Sequence, residues 1–214
     1  MPKLRPMSAL LVTGFEPFLT HDRNPSALLA QTLDGQSIGG HPVAGLTLPV
    51  TYAGAAPRLQ QAIEAMRPAA VVMFGLAYET DCIRPERLAL NLDDATAADN
   101  DGESRRNRPI DPAGPLGYWS SLPLDRLADR LGRAGFPVKI SRDAGGYLCN
   151  HLFFRTRHWL EERGRPIPAG FIHLPPLPDG IKPEDRGHRS GMDLDRQLTA
   201  ARLVLETLAE RAEV

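Results

Sequence analysis

Cysteine is scarce in this 214-residue chain: there are two, Cys82 and Cys149, too few for a disulfide scaffold and without a CxxC metal spacing. A reducing, cytoplasmic setting is therefore expected. Long apolar runs are missing as well. The longest, Ala69 to Ala77, is about half of the roughly 20 residues a spanning helix needs. The opening Met1-Pro2-Lys3-Leu4-Arg5-Pro6 is basic, but the apolar run behind it, Ala9 to Val12, is too short for a signal peptide. Neither charge sign is in surplus: the net charge is −1, so nothing draws the chain generally to nucleic acid or an anionic membrane. The one basic cluster, Arg105-Arg106-Asn107-Arg108, lies among Asp99, Asp101 and Glu103 and reads as a solvated loop. Linkers, low-complexity tracts and internal repeats are absent, and the 20 prolines punctuate elements instead of forming one tract.

What is present has ordinary globular composition, 42% hydrophobic and 24% charged, long enough to bury roughly 70% of the unfolded chain's surface. Short apolar runs alternate with helical periodicity. Strands are expected at Ser8–Thr13, Val43–Val50, Ala70–Gly75, Pro137–Arg142 and Ala169–Leu174. Asn24-Pro25 supplies an N-cap and a first-turn proline for a helix to about Leu33. Further helices are expected over 55–66, around Leu124–Leu131, from Gly146 to about Glu162, and along the stripe Leu194, Leu198, Ala201, Leu205, Leu208, Ala212. From Arg87 to Asp93 the chain alternates, with Leu88, Leu90 and Leu92 on one side. The polar stretch from Asp94 to about Leu122 is too long for a simple connector. The expected fold is α/β: one domain over residues 1–214, a three-layer α/β/α sandwich around a twisted, largely parallel mixed sheet.

Chemistry concentrates in the segment from Val138 to His151. A strand leads through Gly145-Gly146 into a helix whose first turn carries Cys149. Free N–H groups and the helix dipole there favour a thiolate, below the ordinary thiol value of about 8.5, and can receive an oxyanion. Cys149 is thus a candidate nucleophile; the competing reading is a small core residue beside Leu148 and Leu152. Of six histidines, His21 and His41 fall in polar turn-like stretches, His188 in a charged loop, and His151 and His158 on the Cys149 helix as surface or packing residues. His173 differs, because it ends an apolar strand where α/β sheets bind ligands. Glu86 is the candidate third member. By parity it shares the side of Leu88, Leu90 and Leu92, where an unpaired carboxylate is costly. Asp93, Asp94 and Asp99 read as solvated loop carboxylates, and Cys82 lacks a glycine turn leading into a helix.

Four segments in order carry a resemblance. Thr13-Gly14-Phe15-Glu16-Pro17-Phe18 with Asn24-Pro25, Pro85-Glu86-Arg87-Leu88-Ala89-Leu90-Asn91, Ala144-Gly145-Gly146-Tyr147-Leu148-Cys149-Asn150 and Gly170-Phe171-Ile172-His173-Leu174-Pro175 are similar to signature stretches of the pyroglutamyl peptidase type I family, over nearly the whole chain. The resemblance implies a cysteine peptidase removing N-terminal pyroglutamate, with Cys149 as nucleophile, His173 as base and Glu86 as third member. It also implies a cytoplasmic homo-oligomer, tetramer or dimer, acting on pyroglutamyl peptides without a cofactor or metal. Phe15, Phe18 and Tyr147 match positions lining the family's pocket for the flat lactam; Asn24 matches beside them and also reads as a helix cap. Three stretches depart from the family pattern. Leu19-Thr20 replaces Gly-Gly, Gly75-Leu76-Ala77-Tyr78-Glu79-Thr80 lacks an arginine, and Asp94-Ala95-Thr96-Ala97-Ala98-Asp99-Asn100 lacks another. Arg84 lies near the first missing arginine. Two rival readings of the same residues are a hydrolase of another lactam or small amide, and a silent relative acting as a thiol redox sensor or blocked-peptide binder.

Overall fold

In the computed structural model, which describes residues 7–18, 23–185 and 187–212, the apolar runs form the middle of a six-stranded sheet. Leu19-Thr20, His21 and the opening segment lie outside the described residues. The strands are β1 (Leu10–Phe15), β2 (Ser37–Ile38), β3 (His41–Leu48), β4 (Ala70–Leu76), β5 (Arg84–Pro85) and β8 (Ala169–Leu174), in the order β2-β3-β1-β4-β8-β5. The four central strands run parallel, and β2 and β5 close the edges antiparallel. A smaller antiparallel pair joins β6 (Leu88–Leu90) to β7 (Gly117–Trp119).

Strand alternation sorts side chains to two faces. Leu10, Val12, Val72, Phe74, Ile172 and Leu174 face one core, covered by α1 (Pro25–Leu33), α3 (Leu124–Arg133) and α5 (Leu194–Ala212). Leu11, Phe15, Val71, Met73, Ala169 and Phe171 face the other, covered by α2 (Ala55–Met66) and α4 (Leu148–Glu162). This is the expected three-layer α/β/α sandwich with a mixed sheet. Because residues 169, 171 and 173 share a face, His173 stands on the α4 side. Among the described residues no helix is long and apolar enough to cross a membrane.

The N-terminus of α1 forms as its sequence dictates. The Asn24 side chain accepts from the Ser26 amide at 3.1 Å, and Pro25 opens the helix. Beyond β8, buried Gln197 of α5 donates to the Pro175 carbonyl at 3.1 Å and the Met192 carbonyl at 2.8 Å, which fixes the chain leaving His173.

Three expectations need correction. Residues 137–142 form no regular strand but two bridges, Ile83 to Val138 and Glu86 to Ser141. That ladder is parallel to β5 and so opposite to β8, because an edge offers only one side to pair with. Along β6 the alternation is inverted: Ala89 is buried while Leu88 and Leu90 are half-buried, since this strand faces α4 outside the main sheet. Finally, His41 is buried, with Nδ1 2.7 Å from the Ser8 carbonyl.

Close packing of α1 on the sheet depends on Gly14, where an added Cβ would lie 2.0 Å from the Ser26 carbonyl oxygen. Gly14→Ala is expected to cost about 3 kcal/mol, read as a lower urea midpoint. Gly180→Ala, with nothing within 4 Å of the new carbon, is expected to leave the midpoint unchanged.

Candidate active site

The segment that carries Cys149 is built from the turn upward. Gly145 has φ +83, a left-handed conformation open to glycine at little cost. At Gly146 a Cβ would strike the Asp94 carbonyl oxygen at 2.3 Å, and the Asp94 amide donates to the Gly146 carbonyl at 2.8 Å. The turn is thereby held against residue 94. Helix α4 then starts at Leu148 with Tyr147 as N-cap, and the cap makes no side-chain hydrogen bond. Cys149 is the second helical residue, among amides that lack intrahelical acceptors. Asn150 anchors this end: Oδ1 accepts from the Leu90 amide at 2.8 Å, and Nδ2 donates to the Leu90 and Leu92 carbonyls, both at 2.9 Å.

His173 is paired with Gly75 of β4 on one side and Arg84 of β5 on the other. Gly75 matters for what it omits. A Cβ there would sit 2.6 Å from the Phe171 ring and 3.0 Å from Cys149 Sγ, so the sulfur occupies the space a side chain would fill. The sulfur faces the imidazole of His173, close enough for its charge to act on the ring. The ring's Nδ1 lies 2.8 Å from Glu86 Oε1; because a carboxylate only accepts, Nδ1 carries hydrogen and Nε2 is left for the sulfur. Glu86 is fully buried and His173 nearly so. Burial alone would drive the imidazole toward its neutral form. The Cys149 charge, with Glu86 behind it, overcomes this and raises the His173 pKa to about 9.

The three residues singled out in the sequence are therefore in one contact chain, from Cys149 through His173 to Glu86. The burial of Glu86 does not come from alternation with Leu88 and Leu90. It is buried because it follows Pro85 at the edge of β8, its amide donating to the Phe171 carbonyl at 2.8 Å, whereas Leu88 and Leu90 belong to the other sheet.

Phe15, Phe18, Asn24, Val50, Leu76, Tyr147, Leu148 and Cys149 line one small pocket that opens to solvent. The Phe18 and Tyr147 rings are 6.2 Å apart, and Tyr52 meets Tyr147 edge-on at 5.9 Å. Tyr147 donates its hydroxyl to the Ala98 carbonyl at 2.9 Å. Burial first, then the Asp99 and Cys149 charges, push its pKa up to about 12 and keep it protonated. Asn24 borders the pocket with its polar atoms already engaged: Oδ1 by the Ser26 amide and hydroxyl, Nδ2 by the Glu16 carbonyl.

Elsewhere the loop readings change. Asp93 is fully buried, 3.0 Å from His151 Nδ1 and 3.0 Å from Arg105 Nη1. Asp99 is buried too and accepts the Tyr52 amide at 2.8 Å. Arg105 also pairs with Glu103 and lies over the Tyr52 ring, so the basic cluster is partly an internal network. Cys82 is half-buried and bonded to Thr80, apart from this pocket. Sequence reasoning missed Gly75 and Asn150. The first had a usable signal, a glycine ending a strand beside the histidine strand. Among the described residues no group of three or more His, Cys, Asp or Glu side chains is arranged to hold a metal ion.

A pyroglutamyl peptidase family model matches residues 8–211. The chain belongs to the pyroglutamyl peptidase family. It is 38% identical over 202 residues to the pyrrolidone-carboxylate peptidase of Halalkalibacterium halodurans, covering 93% of this chain and 98% of that protein. The Gloeobacter violaceus protein of the same name is also 38% identical, over 96% of this chain and 98% of its own length. Among solved structures, the pyrrolidone carboxyl peptidase of Thermococcus litoralis superposes with a TM-score of 0.92 at 35% identity, covering 97% of this chain and 96% of that one. The Pyrococcus furiosus enzyme gives 0.90 at 35% identity, over 95% and 99%.

Two outcomes follow from this geometry. Gly75→Ala is expected to displace the sulfur from the imidazole and lower kcat/KM at least about tenfold, while thermal unfolding shows a protein still folded. In the parent, the His173 ring loses its proton as pH rises through about 9. The pH profile of kcat/KM is therefore expected to fall on its alkaline side near that value; a profile flat to pH 10.5 would contradict the pairing.

Proposed function

We propose that this chain is a cysteine peptidase that releases pyroglutamate from the N-terminus of peptides, working as a single domain with Cys149, His173 and Glu86 as its catalytic triad. The observation that carries the reading is the small pocket ending at Cys149, whose walls among the described residues are aromatic and aliphatic apart from Asn24 and include no carboxylate. An ordinary N-terminus brings a charged ammonium, which such a wall leaves without a counter-charge. A pyroglutamyl ring is flat, uncharged and small, and suits Phe15, Phe18 and Tyr147.

In the proposed cycle the Cys149 thiolate forms a C–S bond to the pyroglutamyl carbonyl carbon. Amides at the start of α4 receive the oxyanion. His173 gives its proton to the departing nitrogen as the C–N bond breaks, leaving a thioester. Water, deprotonated by the now neutral ring, cleaves the C–S bond and releases pyroglutamate. Glu86 holds Nδ1 throughout and offsets the charge while the ring is an imidazolium.

We further propose a cytoplasmic homo-oligomer. Both cysteines are free, which fits a reducing compartment, and Leu116 (92% exposed) and Trp119 (66% exposed) offer apolar surface for a second copy. Light scattering at a mass above the monomer is the expected result.

The deciding assay compares fluorophore release from a pyroglutamyl amide and from a prolyl amide of the same ring size. Cleavage of the first and not the second is expected; equal rates would overturn the substrate reading. Cys149→Ser is expected to abolish release with the fold intact, Cys82→Ser to leave most of it, and Glu86→Gln to lower kcat about a hundredfold. Equal loss in both cysteine variants would reject the nucleophile.

A further inference from the structure

Glu86 is a fully buried carboxylate whose Oε1 receives the His173 Nδ1–H, while its Oε2 has no hydrogen-bond partner among the described residues. Such a charge is tolerated only beside opposite charge. In the proposed cycle the imidazole supplies that charge for only part of the time. Once its proton has gone to the leaving amine, the carboxylate faces a neutral ring. A permanent counter-charge is needed through the thioester stage.

Arg84 has the position for it. Nη2 lies 3.3 Å from Glu86 Oε1, the oxygen that also holds His173. The same nitrogen donates to Ser141 Oγ at 3.0 Å and to the Asp143 carbonyl at 3.1 Å. Asp143 opens the turn to the nucleophile: its Oδ1 accepts the Gly145 amide at 2.8 Å. One guanidinium thus joins the triad carboxylate to the turn that sets Cys149. Its backbone is fixed by pairing with His173 across β5 and β8.

We propose that Arg84 is a positioning residue of this active site, which keeps Glu86 ionised while His173 is neutral and ties the carboxylate to the turn preceding Cys149. The inference rests on the triad reading above. It also accounts for a departure of this chain, since Thr80 stands where many family members carry an arginine and is spent on Cys82, its Oγ1 3.2 Å from the Cys82 amide. The charged groups around Arg84 are Glu86 and His173 on the buried side, Cys149 beyond the ring, Asp143 in the turn it bonds, and Glu79, Asp81, Lys139 and Arg142 around the outer cleft that Cys82 also borders. Among the described residues, neither Lys139 nor Arg142 pairs with Glu86.

The test uses full-length protein carrying Cys82→Ser, so that Cys149 is the only thiol, with Arg84→Met and Arg84→Lys added separately. Two profiles are measured against pH: kcat/KM on a pyroglutamyl amide, and the rate of Cys149 alkylation by iodoacetamide. Removing a positive charge raises the proton affinity of every group beside it. Arg84→Met is therefore expected to move the limbs of both profiles alkaline by about one pH unit, and to lower kcat about tenfold with KM little changed. Arg84→Lys restores the charge without the planar fork, so it is expected to return the limbs toward the parent and recover part of kcat. Profiles for Arg84→Met that coincide with the parent would overturn the inference, whether or not the rate falls, as would a lysine variant no closer to the parent than the methionine. Alkylation needs no turnover, so it decides the role of Arg84 even if the parent cleaves no pyroglutamyl amide, the separate result that would sink the functional reading.

Discussion

Burying charge without pairing it is costly, and this fold buries a carboxylate and an imidazole, with a half-buried cysteine beside them, at one end of its sheet. They are tolerated because each meets an opposite: Glu86 meets His173 at 2.8 Å, and His173 meets Cys149. The parallel register makes the meeting possible. His173 is the last inward residue of β8, flanked by a glycine on β4 and by Arg84 on β5, and the missing side chain of Gly75 is the space into which α4 delivers its sulfur. A shift of one residue along β8 would turn the histidine to the opposite face and leave the carboxylate alone.

The elements that carry this register were the easiest to read. β4 and β8 are short apolar runs covered on both faces, α2 spans the predicted 55–66, and Asn24-Pro25 marks the start of α1. Such signals are local, so one sequence suffices. Cys149 in a first helical turn behind Gly145-Gly146 was legible for the same reason. Less legible was anything that depended on a distant partner. Asp93 looked like a solvated loop carboxylate because Arg105 and His151, which bury it, lie 12 and 58 residues away. The alternation of Leu88, Leu90 and Leu92 pointed to the wrong face because β6 leaves the main sheet for β7, and alternation alone does not say which sheet a strand joins. The pocket gathers Phe15, Phe18, Leu76 and Tyr147 from three stretches of chain; only a family resemblance suggested its aromatic members, and nothing suggested Leu76.

Departures from the family pattern find local compensation. In the stretch that lacks an arginine, Tyr78 donates its hydroxyl to Asp185 at 2.7 Å and accepts the Lys182 amide at 2.8 Å, Glu79 pairs with Arg189, and Asp81 accepts the amides of Ser190 and Gly191. From Tyr78 onward that loop is anchored to the segment following β8, while its start, at Leu76, borders the pocket. The other altered stretch, 94–100, meets the site largely through its backbone: Asp94 bonds the turn before Cys149, Ala98 takes the Tyr147 hydroxyl, and the Asn100 amide donates to the Val50 carbonyl at 2.9 Å. Of its changed positions, Ala98 meets the site through its carbonyl, whereas Asp99, which matches the family pattern, holds the Tyr52 amide with its side chain.

The central claim is that the charge on Cys149 keeps the buried ring of His173 protonated, and it can be measured at the ring itself. Protein labelled with nitrogen-15 in its histidines would be titrated by NMR, as the parent and as Cys149→Ala. The account predicts that His173 titrates near 9 in the parent and distinctly lower once the sulfur is gone, because burial then meets only the carboxylate. An unchanged titration in the alanine protein would contradict it.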